Sequence, residues 1–308
     1  MAGTRLKQRF VSLPHAIEAY AVRGLSFVFG LLPFSFSCWL AKRAGDLFYV
    51  LLSSRRKIGC GNLERVYGTD LPAPEKRRIL RQSFQNTALS ILELFLIKKM
   101  KPCAEQRFTF KGLDHLKAAL SRGKGVVLIT SHLGSWEYLG FLPYLTGIPC
   151  SVIVKNLKNA ALDREIDNLR RETSLVPIPK RQAIREALDR LATNEVVAIL
   201  IDQWAGPEGL WNDFMGLPTS TTSLPARLAE KTGCALVAAY CLRKGTSRYE
   251  IELLPQLPFP SGEANWEASA TARLNESLEA HVRKHPEQWS WAHRRWKPKP
   301  STSRQAQP

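Results

Sequence analysis

Acidic residues are scarce in this chain of 308 residues: 27 Asp and Glu stand against 44 Lys and Arg, a formal net charge of +17. So large an excess implies an anionic partner, either nucleic acid, an anionic lipid surface or a phosphorylated substrate. Cysteine is sparse and scattered. Cys38, Cys60, Cys103, Cys150, Cys234 and Cys241 never fall in a C-x-x-C pair, which excludes close-spaced metal and redox motifs. They read as mostly buried free thiols, in keeping with a reducing compartment. Internal repeats and low-complexity linkers are missing, so the chain is not a solenoid or a string of modules. No zinc-finger or RNP-type signature occurs, and the basic residues are spread along the chain, which argues against a nucleic-acid binder. The G-x-S-x-G turn of an α/β hydrolase is absent where it belongs, after the apolar run at 125–130.

What is present is ordinary globular material, 44% hydrophobic and 23% charged. Residues 24–41 carry no charge over 18 positions, just enough for a bilayer-spanning helix, but they include Pro33, two Gly and four Ser or Cys. Arg23, Lys42 and Arg43 flank this stretch, and no small-residue cleavage site marks it as a signal peptide. Three readings fit it: a membrane-anchoring helix, two short helices broken near Pro33, or a buried hairpin. From Pro74 to Met100, apolar residues recur at steps of three and four (Ile79, Leu80, Phe84, Ala88, Ile91, Leu92, Phe95), which predicts a long helix with one buried stripe. The first hundred residues therefore read as a helical extension, 1–100, with a membrane-anchoring segment.

After Lys101 the pattern becomes that of an α/β core, 101–308. Short β-branched runs at 125–130, 149–154, 195–201 and 235–240 predict buried strands, and the alternation at 249–254 predicts a half-exposed one. Helical stretches lie between them at about 134–146, 159–172, 181–193 and 222–233, with a last helix at about 266–284. Alternating strand and helix predicts an α/β fold with a largely parallel central sheet and helices on both faces.

The strand ending at Thr130 delivers His132 into a loop, where active sites of open α/β sheets sit. Glu137 follows five residues later. On one ideal helix that spacing leaves the side chains roughly 140° apart. The two residues meet only if His132 lies off the helix and folds back over its first turn. A carboxylate on one ring nitrogen would fix the tautomer and leave the other nitrogen to take a proton from a hydroxyl. Taken by itself, an H-x-x-x-x-E spacing equally describes a loop histidine and a solvated helix glutamate.

The segment Ser131-His-Leu-Gly-Ser-Trp-Glu137 resembles the H-x4-D/E motif of the lysophospholipid acyltransferase superfamily. The wider pattern is similar to its bacterial lipid A late acyltransferase branch, the lauroyl and myristoyl transferases. Matching segments run in order along nearly the whole chain: Asn62-Leu63, Lys155-Asn-Leu-Lys-Asn159 through Asp163 to Arg170, Ile201-Asp-Gln203, Phe214-Met-Gly216, Thr221-Thr222, and the closing His285-Pro-Glu-Gln-Trp-Ser-Trp-Ala-His-Arg-Arg-Trp-Lys297. The resemblance implies a fatty acyl transfer from acyl-carrier protein or acyl-coenzyme A to a hydroxyl of an anionic glycolipid, a lipid A precursor first of all. It implies His132 as general base with Glu137 as its partner, and Arg170, Asn159, Lys155 and Asp202 as substrate-binding residues. It implies no metal and no cofactor, and a place at the cytoplasmic face of a bacterial inner membrane. Gln203 and Trp204 stand where the lipid A enzymes often carry Asp-x-Asp, and Ala160 where Pro is usual, so the acceptor lipid is left open between lipid A and other glycolipids. The closing segment (Trp289, Trp291, Arg294, Arg295, Trp296, Lys297, Lys299) predicts cations mixed with interfacial aromatics at an anionic membrane surface. Backbone amides near Gly134, at the expected helix start, or a basic side chain are the expected oxyanion donors.

Overall fold

A computed structural model describes residues 13–258 and 265–298. The N-terminal third is helical: α1 (Leu13–Leu31), α2 (Phe34–Leu51), α3 (Ser53–Tyr67), α4 (Ala73–Phe95) and the short α5 (Ile97–Met100) and α6 (Ala104–Arg107). Strands and helices then alternate: β1 (Phe108–Lys111), α7 (Leu113–Leu120), β2 (Val126–Thr130), α8 (Leu142–Thr146), β3 (Cys150–Val154), α9 (Ala160–Arg171), β4 (Leu175–Pro179), α10 (Ala183–Ala192) and β5 (Val196–Leu200). A hairpin of β6 (Leu210–Phe214) and β7 (Leu217–Thr221) follows, then α11 (Leu224–Thr232), β8 (Ala235–Gly245), β9 (Arg248–Leu253) and α12 (Trp266–Lys284).

Seven strands form one sheet in the order β1-β9-β8-β2-β5-β3-β4. All neighbours run parallel except β8 and β9, so the sheet is largely parallel, as expected. Its central strands β2 and β5 are almost wholly apolar because both faces are covered. Alternate residues point to opposite sides: Val127, Ile129, Val197 and Ile199 join one core, and Val126, Leu128, Val196 and Ala198 the other. The first core takes in Leu80 and Phe84 of α4 and Leu278 of α12; the second takes in Tyr138 and Phe141. β1, β4 and the β6–β7 hairpin had no sequence expectation. β4 is Leu-Val-Pro-Ile-Pro, and two prolines mask the strand signal; they are tolerated at the sheet edge where a missing N–H costs no ladder bond.

Of the three readings of residues 24–41, the structure shows the broken pair. α1 ends at Leu31 and α2 starts at Phe34, because Pro33 supplies no N–H to continue the first helix. No helix among the described residues is long and apolar enough to cross a membrane. The pair nevertheless exposes large apolar side chains, among them Phe27 (69%), Leu31 (71%), Trp39 (53%) and Leu51 (64%).

The closing segment differs from its expectation. Trp289, Trp291 and Trp296 are buried in the core and cannot be interfacial aromatics, and Arg295 is buried as well. Arg295 donates to Gln203 O (2.8 Å) and Thr221 Oγ1 (2.7 Å), and its guanidinium lies over the Phe214 ring. The segment packs because its aromatics stack on one another and on the hairpin, which spacing along the chain does not reveal. Only Arg294 and Lys297 of its described cations reach solvent, and Lys299 lies outside the described residues. The thiols are mixed: Cys150, Cys234 and Cys241 are buried, Cys38 and Cys103 partly so, and Cys60 is exposed.

Candidate active site

β2 and β5 are neighbours in register, with Thr130 opposite Leu200 and Ile201 N–H donating to Thr130 O. Two residues beyond each strand end stand His132 and Asp202. The ladder therefore brings them together at the carboxyl edge of the sheet. His132 Nδ1 and Asp202 Oδ1 are 2.9 Å apart, and the His132 backbone N–H donates to Asp202 Oδ2 at 3.0 Å. Trp289 Nε1 donates to the same Oδ2 at 3.0 Å. Burial alone would raise the Asp202 carboxyl, but the His132 charge, its hydrogen bonds and that of Trp289 hold it down at about 2. Burial works against the charged form of His132, and the Asp202 carboxylate outweighs it and raises the imidazole above its usual 6.5, with Glu137 adding to the effect. The His132 Nδ1–H thus points at Asp202, and Nε2 is left as the basic lone pair. Gln203 Nε2 is 3.3 Å from that nitrogen and donates to it.

The expected hydrogen bond between His132 and Glu137 is not formed. Glu137 instead grips Arg170 of α9 with both oxygens, Nε–Oε2 at 3.0 Å and Nη2–Oε1 at 2.9 Å, and Asp167 lies 3.4 Å from Nη1. The reason is local geometry. No helix starts at Gly134; residues 135–137 form a turn and the first helical residue is Tyr138, so the chain does not bring Glu137 back over His132. Burial disfavours the Arg170 cation, but the Glu137 charge and hydrogen bonds more than offset this and raise its pKa.

The other expected binding residues fall out differently. Asp202 is the histidine's partner; with both oxygens engaged it is not a free substrate ligand. Asn159 caps α9, its Oδ1 accepting from Ala161 N (3.0 Å) and Leu162 N (3.2 Å), while its Nδ2 donates to Glu18 of α1 at 2.7 Å. Its carboxamide, expected to bind substrate, is thus engaged in capping α9 and tying it to α1. Lys155 is exposed just past the end of β3, at the carboxyl edge of the sheet.

The turn after His132 is held by a buried network that the sequence reading missed. Glu93 of α4 pairs with Arg243 of β8, Nε–Oε1 at 2.8 Å and Nη2–Oε2 at 2.5 Å, with side chains only 3% and 10% exposed. Ser135 Oγ and Tyr249 Oη also donate to Glu93. Arg243 Nη1 donates to Gly134 O at 2.8 Å and to Asn86, and Ser90 Oγ donates to Gly134 O at 3.1 Å. The amides expected to serve an oxyanion are already taken: Gly134 N–H donates to Gln288 O (2.9 Å) and Ser135 N–H to Cys241 O (2.7 Å). A hint was available, since Glu93 interrupts the apolar face of α4.

Gly134 has φ +65°, and a Cβ there would meet Cys241 O at 2.2 Å. Gly134→Ala combines left-handed strain with a backbone clash, so we expect a loss of roughly 2–5 kcal/mol and of activity together. Chemical denaturation would show this, and a wild-type midpoint would refute it.

An apolar pocket of about 330 Å³ opens beside His132. Phe48 and Leu52 come from α2 and its end, Phe84, Ala88 and Ile91 from α4, and His293 from the closing segment. Burial drives the His293 imidazole down to about 4, so it faces the pocket neutral. A basic nitrogen at the mouth of an apolar pocket suits activation of a hydroxyl beside a hydrocarbon chain.

The family profile described as "Bacterial lipid A biosynthesis acyltransferase" matches residues 6–298. The chain belongs to that family. The acyltransferase is also 28% identical over 253 residues to a phosphatidylinositol mannoside acyltransferase of Mycobacterium tuberculosis (strain CDC 1551 / Oshkosh), covering 80% of this chain and 78% of the relative. It is 25% identical over 283 residues, 90% of each chain, to the lipid A biosynthesis palmitoleoyltransferase of Escherichia coli (strain K12). With the lipid A biosynthesis lauroyltransferase of the same strain it shares 24% identity over 277 residues, 87% of this chain and 88% of the relative. The protein is an O-acyltransferase of the lipid A or glycolipid type.

Proposed function

We propose that the acyltransferase moves a fatty acyl chain from a thioester donor, acyl-carrier protein or acyl-coenzyme A, to a hydroxyl of a membrane glycolipid, a lipid A precursor above others. The observation that carries this reading is the basic Nε2 of His132, fixed through Nδ1 by Asp202, at the mouth of an apolar pocket. The acceptor hydroxyl displaces the Gln203 amide, and Nε2 takes its proton as the oxygen attacks the thioester carbonyl. The C–S bond then breaks and the imidazolium returns the proton to the departing thiolate, so no covalent enzyme intermediate is required. Asp202 orients the ring and stabilises its charged form. Since the amides of Gly134 and Ser135 are engaged, we assign the oxyanion to the Arg170 guanidinium, with Glu137 as the positioning residue that aims it. The exposed apolar faces of α1 and α2 rest on a bilayer, and the positive charge of the chain favours an anionic one, which we take to be the cytoplasmic face of an inner membrane.

His132→Ala should reduce acyl transfer to lipid A precursor by about 10²–10⁴-fold while leaving thermal stability close to wild type. The assay pairs labelled acyl-carrier protein with the lipid in detergent. Transfer within threefold of wild type would exclude His132 as the base.

A further inference from the structure

Beside the His132 pocket lies a second cleft, about 420 Å³, between α3 and the closing segment. Its walls carry Lys57 and Arg65 from α3 and Arg294 and Lys297 from the closing segment, with Gly61 and Trp296 between them. It contains no carboxylate. None of the four cations is in an ion pair among the described residues, and Glu64, the acidic residue of α3, does not line the cleft and is paired with Lys76. Lys297 lies over the Trp204 ring at 3.8 Å, and Arg65 reaches only the Trp296 carbonyl, at 3.5 Å. Four uncompensated cations in one concavity repel one another until an anion enters.

The cleft is built rather than incidental. Asn62, 2% exposed, donates through Nδ2 to both Trp291 O (2.9 Å) and His293 O (2.8 Å), stapling the closing segment onto α3. Trp296 Nε1 donates to Phe214 O at 3.1 Å and anchors the far end. With Arg295 and Trp296 turned inward, Arg294 and Lys297 are left to face the cleft.

We propose that this cleft is a phosphate-binding subsite for the headgroup of the acceptor lipid. The inference rests on the reading of the protein as a lipid-hydroxyl acyltransferase. Two placements favour lipid-borne phosphate. α3 begins directly after Val50, Leu51 and Leu52, all exposed, so the first cations sit where an apolar surface gives way to charge, as at a bilayer's headgroup layer. The two cavities also draw residues from the same two segments, α3 and the closing segment. Arg55 and His293 line the reactive pocket, and Lys57 and Arg294, close by in the chain, line the cationic one. One lipid molecule with its tails at the apolar face can therefore place a phosphate in the cleft and a hydroxyl at His132.

The test uses the full chain with Arg294→Glu and, separately, Gly61→Glu. A Cβ on Gly61 meets nothing closer than Arg65 Nη2 at 4.0 Å, so a side chain can start there without a backbone clash, and Gly61 itself lines the cleft. Each variant should raise the acceptor KM by about tenfold, equivalent to about 1.4 kcal/mol, with kcat and the donor KM nearly unchanged. The effect should vanish when the lipid A precursor has been treated with phosphatase. An unchanged acceptor KM, an equal rise with the dephosphorylated lipid, or a rise in the donor KM instead would overturn the proposal; the last would assign the cleft to the phosphate of the donor's pantetheine arm. Binding of the same proteins to phosphatidylcholine vesicles carrying the phosphorylated or dephosphorylated precursor needs no turnover. Wild-type vesicle binding that depends on the phosphate and is lost in Gly61→Glu sustains the subsite even if the acyl-transfer reading fails. Equal binding by both proteins removes it.

Discussion

Asp202→Asn should abolish most activity, lowering kcat by about 10³–10⁴-fold without unfolding the protein. Two fixed N–H donors, the His132 backbone and Trp289 Nε1, converge on the position of Oδ2. An asparagine satisfies them only by placing its oxygen there, so its NH2 group falls at the Oδ1 position and faces His132 Nδ1. The imidazole must then accept at Nδ1 and carry its proton on Nε2, and the base is lost through the wrong tautomer. The pH dependence separates this from a simple loss of structure. Asp202 holds the His132 pKa above 6.5, and the proposed mechanism needs neutral His132, so the wild-type rate should fall on acidification with a midpoint above 6.5. Removing the carboxylate leaves burial as the dominant influence and moves the midpoint to more acidic pH, beneath a much lower plateau. A pH–rate profile of both proteins, with nitrogen NMR of the imidazole, reads both effects. A plateau within tenfold of wild type would refute the role of Asp202.

Arg243→Met should be the most destabilising of the substitutions at charged residues, by about 3–5 kcal/mol, because it strands the buried Glu93 carboxylate without its cation. Ser135 and Tyr249 would still donate to Glu93, but two neutral hydroxyls do not replace a bidentate guanidinium. Pairing it with Glu93→Leu should recover much of the loss, since no charge is then left in the core. Urea denaturation of the two variants measures this directly, and a single variant within 1 kcal/mol of wild type, roughly the worth of an exposed pair, would contradict it. The recovered double variant should nonetheless remain poor in catalysis, because Gly134 O would lose its Arg243 donor and the turn that presents His132 would loosen.

Much of the fold was legible in the sequence because its signals are local. The runs at 125–130 and 195–201 are β-branched and apolar, which suits a strand buried on both faces, and they form β2 and β5. The stripe from Ile79 to Phe95 has the helical period and forms the buried face of α4, except for Ile91, which is exposed and lines the pocket beside His132. β4 escaped because its prolines resemble a loop, and the single helix expected at 134–146 proved to be a turn followed by short helical pieces. For the candidate site, His132 is legible from its place after a strand, and Arg170 from its place in an ordered set of motifs.

Its pairing partner was misassigned for a reason that applies generally. Glu137 is five residues from His132 and Asp202 is seventy, so spacing favoured the glutamate. Strand order decides otherwise, since β5 lies beside β2 in the sheet although β3 and β4 intervene in the chain. Two residues past the end of each strand, the register sets His132 against Asp202. By itself the sequence determined the α/β class, a histidine placed just past a strand end and the excess of positive charge, because composition, periodicity and strand-end position are properties of neighbouring residues. Only the tertiary structure decided which carboxylate serves the histidine, that the closing tryptophans are core, and that Lys57, Arg65, Arg294 and Lys297 share one cleft. Those facts depend on contacts between residues far apart in the chain, which sheet order and packing create.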